Sequence, residues 1–264
     1  MTSSVKDDKS VTFFQENGYQ VLRSVIPKNV YQSTWNFLND KIEESLLNKA
    51  EELGIRDWKS FCSTLPKMND DWYDDLQPES KHLIAGHFPL DVRLSAKLIE
   101  IACVTKLQNV LRSALCSEKL FMHMPPTARF VIPNNKWASV PPHQDISYNK
   151  HMEGFLTCWV PLVEINEKCG GVTIFPSTGK QKEIPVKKDG FWMSSINTEN
   201  LKSVHYSMNP GDILLLNTQI LHQSRSNISN TVRISIDYRF FGHNGKSSKH
   251  FLDLDTKDVH LIKD

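Results

Sequence analysis

His143 and Asp145 stand two residues apart in Pro141-Pro142-His143-Gln144-Asp145. In an extended strand, residues i and i+2 project to the same side. One imidazole and one carboxylate are therefore expected to face the same small volume. Two protein ligands hold an ion poorly, and His222, in Leu221-His222-Gln223-Ser224, is the best candidate for the third. Two histidines and one carboxylate on one face of an ion form a donor set suited to non-haem Fe(II), with positions left open for other ligands. The same three groups around a metal-bound water would suit a zinc hydrolase. A site that only holds a metal, in a non-catalytic cupin-like protein, needs nothing more. No His-Glu-x-x-His helix is present to favour the hydrolase.

A second stretch bears on that choice. Thr231-Val232-Arg233-Ile234-Ser235-Ile236-Asp237-Tyr238-Arg239-Phe240 alternates. Val232, Ile234, Ile236, Tyr238 and Phe240 take one face, and Arg233, Ser235, Asp237 and Arg239 the other. The apolar set should pack on a second layer. Arg233 lies eleven residues after His222, and a hairpin through Asn227 to Asn230 would return it beside the metal. Arginine pairs carboxylates through two parallel hydrogen bonds. A non-catalytic metal site has no use for such a clamp.

The elements that must position these residues read as follows. Val11 to Asn17 is a short helix stopped by Gly18, and Tyr19 to Leu22 a strand. Val30 to about Leu53 is one long amphipathic helix behind Pro27, with Ser24 as a possible cap and Gly54 as its stop. Pro66 to Pro78, polar and Asp-rich, reads as a long surface loop. Leu90 to Cys103 and Thr105 to Cys116 are two further helices. After Glu118 short runs bounded by Pro, Gly and Asn predict strands: Lys119 to Met124, Ala128 to Ile132, Phe155 to Leu162, Val172 to Phe175, Lys182 to Val186, Ser203 to Tyr206, Ile213 to Leu216 and Thr231 to Phe241. The tail from Gly242 is polar, with Phe251, Leu252 and Leu254 placed to tuck back. Met1 to Ser10 reads as frayed. Helices followed by many short strands give an α+β class whose main element is a β-sandwich or jelly roll. The expected organisation is a single domain over residues 1–264. A helical brace covers mainly 11–117, the jelly-roll core mainly 118–241, and the tail 242–264.

Composition narrows the setting. The 264 residues carry a formal net charge of +1, which gives no general attraction to nucleic acid or membrane surfaces. Met1 to Asp8 has no apolar stretch of the signal-peptide kind. Five cysteines, an odd number with no C-x-x-C pair, fit reduced thiols in a cytoplasmic location better than a disulfide framework.

Taken together these residues resemble the phytanoyl-CoA dioxygenase (PhyH) family of Fe(II)/2-oxoglutarate-dependent oxygenases. His143-Gln144-Asp145 matches the first two metal ligands with the common central Gln, and His222 matches the distal one. Ser224 sits where the family often has a hydroxyl, and Arg233 matches the arginine that pairs with the far carboxylate of 2-oxoglutarate. Trp159-Val160-Pro161-Leu162, Gly170-Gly171, Pro176-Ser177 and Asn209-Pro210-Gly211-Asp212 follow in family-typical order. Phe13-Phe14-Gln15-Glu16-Asn17-Gly18-Tyr19 resembles the family's opening, so the likeness spans about Val11 to Phe241. One departure is Pro176-Ser177-Thr178-Gly179-Lys180, which lacks the histidine often found after this proline.

The resemblance implies a jelly-roll (double-stranded β-helix) core. It implies Fe(II) held by His143, Asp145 and His222, and 2-oxoglutarate bound with Arg233, Ser224, Trp159 and Gln144 around it. O2 is the third reactant, and succinate and CO2 are coproducts. The carboxylate ligand disfavours halogenation, so hydroxylation of an unactivated C–H bond is the default, with desaturation or kainoid-synthase-like ring closure as alternatives. Arg239 and Arg129 are the candidates for an acidic substrate group. The expected substrate is a small polar metabolite, amino-acid-like or a natural-product intermediate, with no nucleic-acid or membrane partner.

Overall fold

The computed structural model describes residues 11–178, 183–189, 191–194 and 196–261. The expected fraying of Met1 to Ser10 falls outside them. The strands are β1 (Tyr19–Leu22), β2 (Phe121–His123), β3 (Thr127–Val131), β4 (Met152–Pro161), β5 (Gly171–Phe175), β6 (Val186–Asp189), β7 (Phe191–Ser194), β8 (Val204–His205), β9 (Ile213–Asn217), β10 (Leu221–Arg225), β11 (Arg233–Ser247), β12 (Phe251–Asp253) and β13 (Val259–His260). A large antiparallel sheet runs β1-β9-β4-β11-β2-β12-β13, with β3 also paired to β11. A small sheet, β10-β5-β8, faces it. This is the jelly-roll core of an α+β fold.

Strand alternation sorts the side chains between two cores. On β4 and β9, Trp159, Leu214 and Leu216 point inward and join Ile174 and Ile220 between the sheets. Cys158, Val160, Ile213 and Leu215 point outward into the larger core, which the helices cover. Helix Lys28–Leu47 buries Leu38, Ile42 and Leu46 there, helix Ala96–Ala102 buries Leu98 and Ile101, and helix Thr105–Leu115 buries Leu107 and Leu111.

Several boundaries differ from the sequence expectations. The long helix breaks after Leu47 and resumes only for Ala50–Leu53, where Gly54 in the left-handed region ends it. Ser24 is no helix cap. It has a positive φ, and its N–H donates to Asp212 Oδ1 at 2.9 Å. Asp212 also accepts from Asn209 N and Arg23 Nη1, so its turn is tied to the start of the chain. The stretch expected as a loop contains helix Asp70–Asp74, capped by Asn69, whose side chain accepts from Trp72 N at 2.9 Å. Trp72 and Tyr73 pack on Trp137. Pro78 opens a further helix, Pro78–Ile84, where its missing N–H costs nothing. The helix expected from Leu90 splits at Leu94-Ser95 into Leu90–Arg93 and Ala96–Ala102.

The tail is more structured than its polarity suggests. β11 runs on to Ser247 across a register shift after Phe241, and β12 and β13 extend the large sheet. Leu252 and Leu254 are buried, as expected of residues that tuck back. The strand expected at Lys182 to Val186 lies later, at Val186–Asp189, and Lys182 is outside the described residues. All five cysteines are free. Among the described residues no helix is long and apolar enough to cross a membrane.

Candidate active site

The two histidines reach one another through backbone pairing. His222 lies on β10 of the small sheet, and His143 adds to that edge as an isolated bridge. His143 N donates to His222 O at 2.9 Å, and His222 N donates to His143 O at 3.0 Å. Their rings stand 4.3 Å apart. β10 itself is pinned at its start, where Leu221 N donates to the Oγ1 of buried Thr178. Thr178 belongs to the run that departs from the family pattern. Asp145 is not on a strand, contrary to the simple i, i+2 picture. It opens a one-turn helix, Asp145–Tyr148, held by Ile146 N to Thr218 O at 3.1 Å. The turn still brings the carboxylate to the imidazoles. Asp145 Oδ1 lies 3.8 Å from His143 Nε2 and 4.0 Å from His222 Nε2.

The surroundings leave these three groups one way to act. Each Nδ1 sits against a backbone carbonyl, Pro141 O at 2.8 Å for His143 and Ile220 O at 3.0 Å for His222. A carbonyl only accepts, so each Nδ1 carries a proton, which leaves Nε2 as the nitrogen of each ring that can ligate in the common space. Burial, reinforced by the neighbouring His222, pulls the His143 imidazole down to about 3, so it is neutral at ordinary pH as a metal ligand must be. Asp145 Oδ2 accepts from Thr157 Oγ1 at 2.5 Å, which turns Oδ1 toward the histidines. Burial opposes its charge. His222, Arg239, His143 and the Thr157 hydroxyl outweigh burial and hold the carboxyl below its usual range. The ligand atoms of His143, Asp145 and His222 all lie within 4.8 Å of one another, and among the described residues no other such group of three exists. Two imidazoles and one carboxylate, each oriented by a second partner, fit a divalent iron ion.

These ligands line a cavity of about 230 Å³ between the sheets. Arg233, the first residue of β11, also lines it and is 4% exposed. The expected hairpin from His222 is absent, since β10 and β11 belong to different sheets and residues 226–232 cross between them. Asn227 fastens that crossing by donating to Val131 O and Thr231 O, both at 2.8 Å. Arg233 Nη1 donates to Arg225 O at 3.0 Å, while its Nε is buried without a partner. Burial draws its pKa down to about 10, which still leaves a full charge at neutral pH. Gly170 is needed beside it, because a Cβ there would lie 2.9 Å from Arg233 Nη1 and 2.7 Å from Arg225 O, at a positive φ. Ser224 and Trp159 line the same cavity.

Two expected site residues are used differently. Gln144 does not line the cavity. Its side-chain NH₂ donates to Gln219 O and its Oε1 accepts from Ile184 N, so both ends are occupied in bracing the turn. Arg129 does line the cavity, but its Nη2 is committed to Ala85 O and Ala138 O, both at 2.8 Å. Arg239 is freer. Its Nη2 lies 4.0 Å from Asp145 Oδ1, and its Nε is buried and unpaired. Residues not expected at the site also converge here. His87 follows a helix absent from the sequence reading, bridges Arg129, and is driven well below its ordinary pKa by burial and then by Arg129. Asp237, whose carboxyl burial pushes up, faces the same space. Tyr148 packs edge-on against His143 at 5.1 Å.

Known structures share this architecture. The nogalamycin-biosynthesis epimerase SnoN, in complex with Fe3+, alpha ketoglutarate and nogalamycin RO, aligns with a TM-score of 0.61 at 14% identity over 91% of this chain and 85% of its own. EctD from S. alaskensis, with 2-oxoglutarate and 5-hydroxyectoine, aligns at 0.59 and 15% over 92% and 78%. The carbocyclase SnoK aligns at 0.57 and 13% over 91% and 85%. At such identities the likeness is one of fold. The sequence profile of "Phytanoyl-CoA dioxygenase (PhyH)" matches residues 14–235, which takes in the three ligands, Arg233 and all of the cavity lining except Asp237 and Arg239. The chain belongs to the phytanoyl-CoA dioxygenase (PhyH) family of non-haem Fe(II)/2-oxoglutarate-dependent enzymes.

Proposed function

We propose that this protein oxidises an unactivated C–H bond of a small polar metabolite by hydroxylation, in a single domain, with succinate and CO2 as coproducts. The observation that carries the reading is the sharing of one buried cavity by His143, Asp145, His222 and Arg233. The three ligands would hold Fe(II), and Arg233 would pair the far carboxylate of 2-oxoglutarate. Iron and cosubstrate supply the oxidising chemistry; the protein supplies binding, orientation and exclusion of water. Thr157 keeps the metal-facing oxygen of Asp145 in place. The two backbone carbonyls keep both imidazoles in the tautomer that ligates. Ser224 and Trp159 would form the walls against the cosubstrate.

Size supports a division of the substrate. Ligand pockets of drug-sized molecules run to roughly 300–1,000 Å³, and the inner cavity is only about 230 Å³. Thr127 also lines two outer cavities, one of about 620 Å³ and one of about 590 Å³. Only the reacting end of a substrate fits beside the cosubstrate. Arg239, shared by the inner cavity and the smaller outer one, would meet it there. Ring closure and desaturation begin from the same substrate position and would use the same residues.

The test is succinate formed from 2-oxoglutarate in the presence of Fe(II) and ascorbate, followed across a panel of small acids and amino acids. Stimulation by a panel member, with an added oxygen in its product, supports hydroxylation. Metal binding with no 2-oxoglutarate turnover under any condition would favour the non-catalytic metal protein instead.

A further inference from the structure

Two outer cavities share lining residues with the inner one, and their charges differ. The larger shares His87 and carries both signs, with Glu44, Glu79 and Asp91 beside Lys49 and Arg93. The other shares Arg239. It is lined by Arg93, His123, His151, Arg239, Lys249 and His250, and no carboxylate lines it. Among the described residues neither Arg93 nor Lys249 forms an ion pair; Arg93 Nε donates to Pro126 O at 2.8 Å. His123 and His151 stand 4.8 Å apart. Three nitrogens of this group, His123 Nδ1, His151 Nε2 and Arg239 Nε, are buried with no hydrogen-bond partner. Buried polar atoms are nearly always paired. Arg239 has its nearest carboxylate, Asp145 Oδ1 at 4.0 Å, on the inner-cavity side, and Arg93 and Lys249 add positive charge with none of their own beside them, an arrangement in which like charges repel.

We propose, resting on the oxygenase reading above, that this vestibule is the binding site for an anionic group of the substrate, a carboxylate or a phosphate held between Arg93 and Arg239. The inner cavity supports the same sign. Arg129, Arg233 and Arg239 line it against Asp145 and Asp237. The iron ion and the 2-oxoglutarate dianion cancel in charge, so a cationic excess remains for the substrate to neutralise. Arg93 and Lys249 extend that excess outward. Burial first, then Arg239 and its cationic neighbours, pull the His123 imidazole down to about 3. Neutral imidazoles can donate or accept around an anion without adding charge. The substrate is thereby a small acid whose charged end lies in the vestibule and whose reacting carbon enters past Thr127 and Arg239.

Calorimetric titration of inorganic phosphate and of acetate, each into the Fe(II)–2-oxoglutarate complex kept free of oxygen, reads this site directly. With 2-oxoglutarate already in place, Arg233 is not available to the probe. The expected result is binding of at least one anion, weakened about tenfold in Arg93→Gln and about threefold in Lys249→Gln. Preference for phosphate assigns a phosphorylated substrate, and preference for acetate a carboxylic acid. Parent protein that binds neither anion at tens of millimolar overturns the proposal, as does Arg93→Gln that binds as tightly as the parent. Lys249 is exposed, so its variant keeps the test alive if Arg93→Gln does not fold, and unchanged anion binding in it is then the overturning result. Failure of the parent to form the 2-oxoglutarate complex at all strikes the oxygenase reading itself, and is seen before any anion is added.

Discussion

Strand β11 meets different surroundings on its two faces. Ile234, Ile236, Tyr238 and Phe240 are each at most 1% exposed and pack into the core beneath the helices. Arg233, Ser235, Asp237 and Arg239, one residue out of phase, line the inner cavity. The first set stabilises the fold by leaving water, at about 25 cal/mol per Å² of apolar surface. The second set is costly to bury. Two of its nitrogens have no partner and its carboxyl is pushed up by burial. One strand therefore carries stability on one side and poised, under-satisfied charge on the other. Residues kept at such a cost are the ones to look to for chemistry.

The largest effect expected lies on the cavity side, at the ligands themselves. Asp145→Ala and His222→Ala should each abolish 2-oxoglutarate turnover and weaken Fe(II) binding, while the far-ultraviolet circular dichroism of the protein stays that of the parent. Full turnover in Asp145→Ala would remove the triad, and with it the distinction between the two faces. Opposite Arg239 on β11, Asp145 belongs to the poised side of the molecule, and its loss should leave the helix-facing core undisturbed.

Next come two substitutions on β11 that should separate the faces. Phe240→Ala removes a fully buried ring from the helix side and should cost about 3–5 kcal/mol of stability, measured by denaturant unfolding. If Arg233 clamps the cosubstrate as proposed, Arg233→Ala removes one partner of a buried charge pair that would form only when 2-oxoglutarate is bound. It should cost about 3–5 kcal/mol of affinity for that molecule, on the order of a hundred- to thousand-fold. Iron binding should be nearly unchanged, and stability in the absence of cosubstrate should not fall. Arg233→Lys keeps the charge without the planar fork and should lose less. If Arg233→Ala destabilises the free protein as much as Phe240→Ala does, the polar face is structural and the comparison fails.

The sequence showed these faces unequally. The alternation from Val232 to Phe240 was legible because strand period is a local property. The ligand triad was legible because His143 and Asp145 are neighbours in the chain and His222 lies in a matching motif. Most of what was misread depended on partners distant in the chain. The split at Leu94-Ser95 carries no proline or glycine, so a continuous helical period hid it. Asn69 followed by Asp70 and Asp71 was a readable helix start, passed over because the segment is polar. Gln144 was placed beside the cosubstrate by resemblance, whereas the backbone of Gln219 and Ile184, far along the chain, takes both ends of its amide. His87, Arg93 and the vestibule histidines belong to no motif. Only the packing of helices and of β2 beside β11 brings them to one place.

The smallest effect expected is also the one that tests the division most finely. Tyr238 is the polar exception on the apolar face. It is fully buried, and its hydroxyl donates to Leu98 O at 2.6 Å in helix Ala96–Ala102. Burial raises its pKa well above the ordinary tyrosine value, so the hydroxyl stays protonated and donating at any pH the protein meets. Tyr238→Phe keeps the ring and its packing on Phe240, 5.7 Å away, and removes one neutral hydrogen bond. The expected cost is about 1 kcal/mol, a fall in Tm of a few degrees for a chain of this size. Tyr238 lies between Asp237 and Arg239 in sequence, yet it points away from the cavity. Affinity for 2-oxoglutarate should therefore match the parent's. A weakened affinity in this variant would show that the helix layer helps set the position of the cavity face, and that the two sides of β11 are coupled through its backbone.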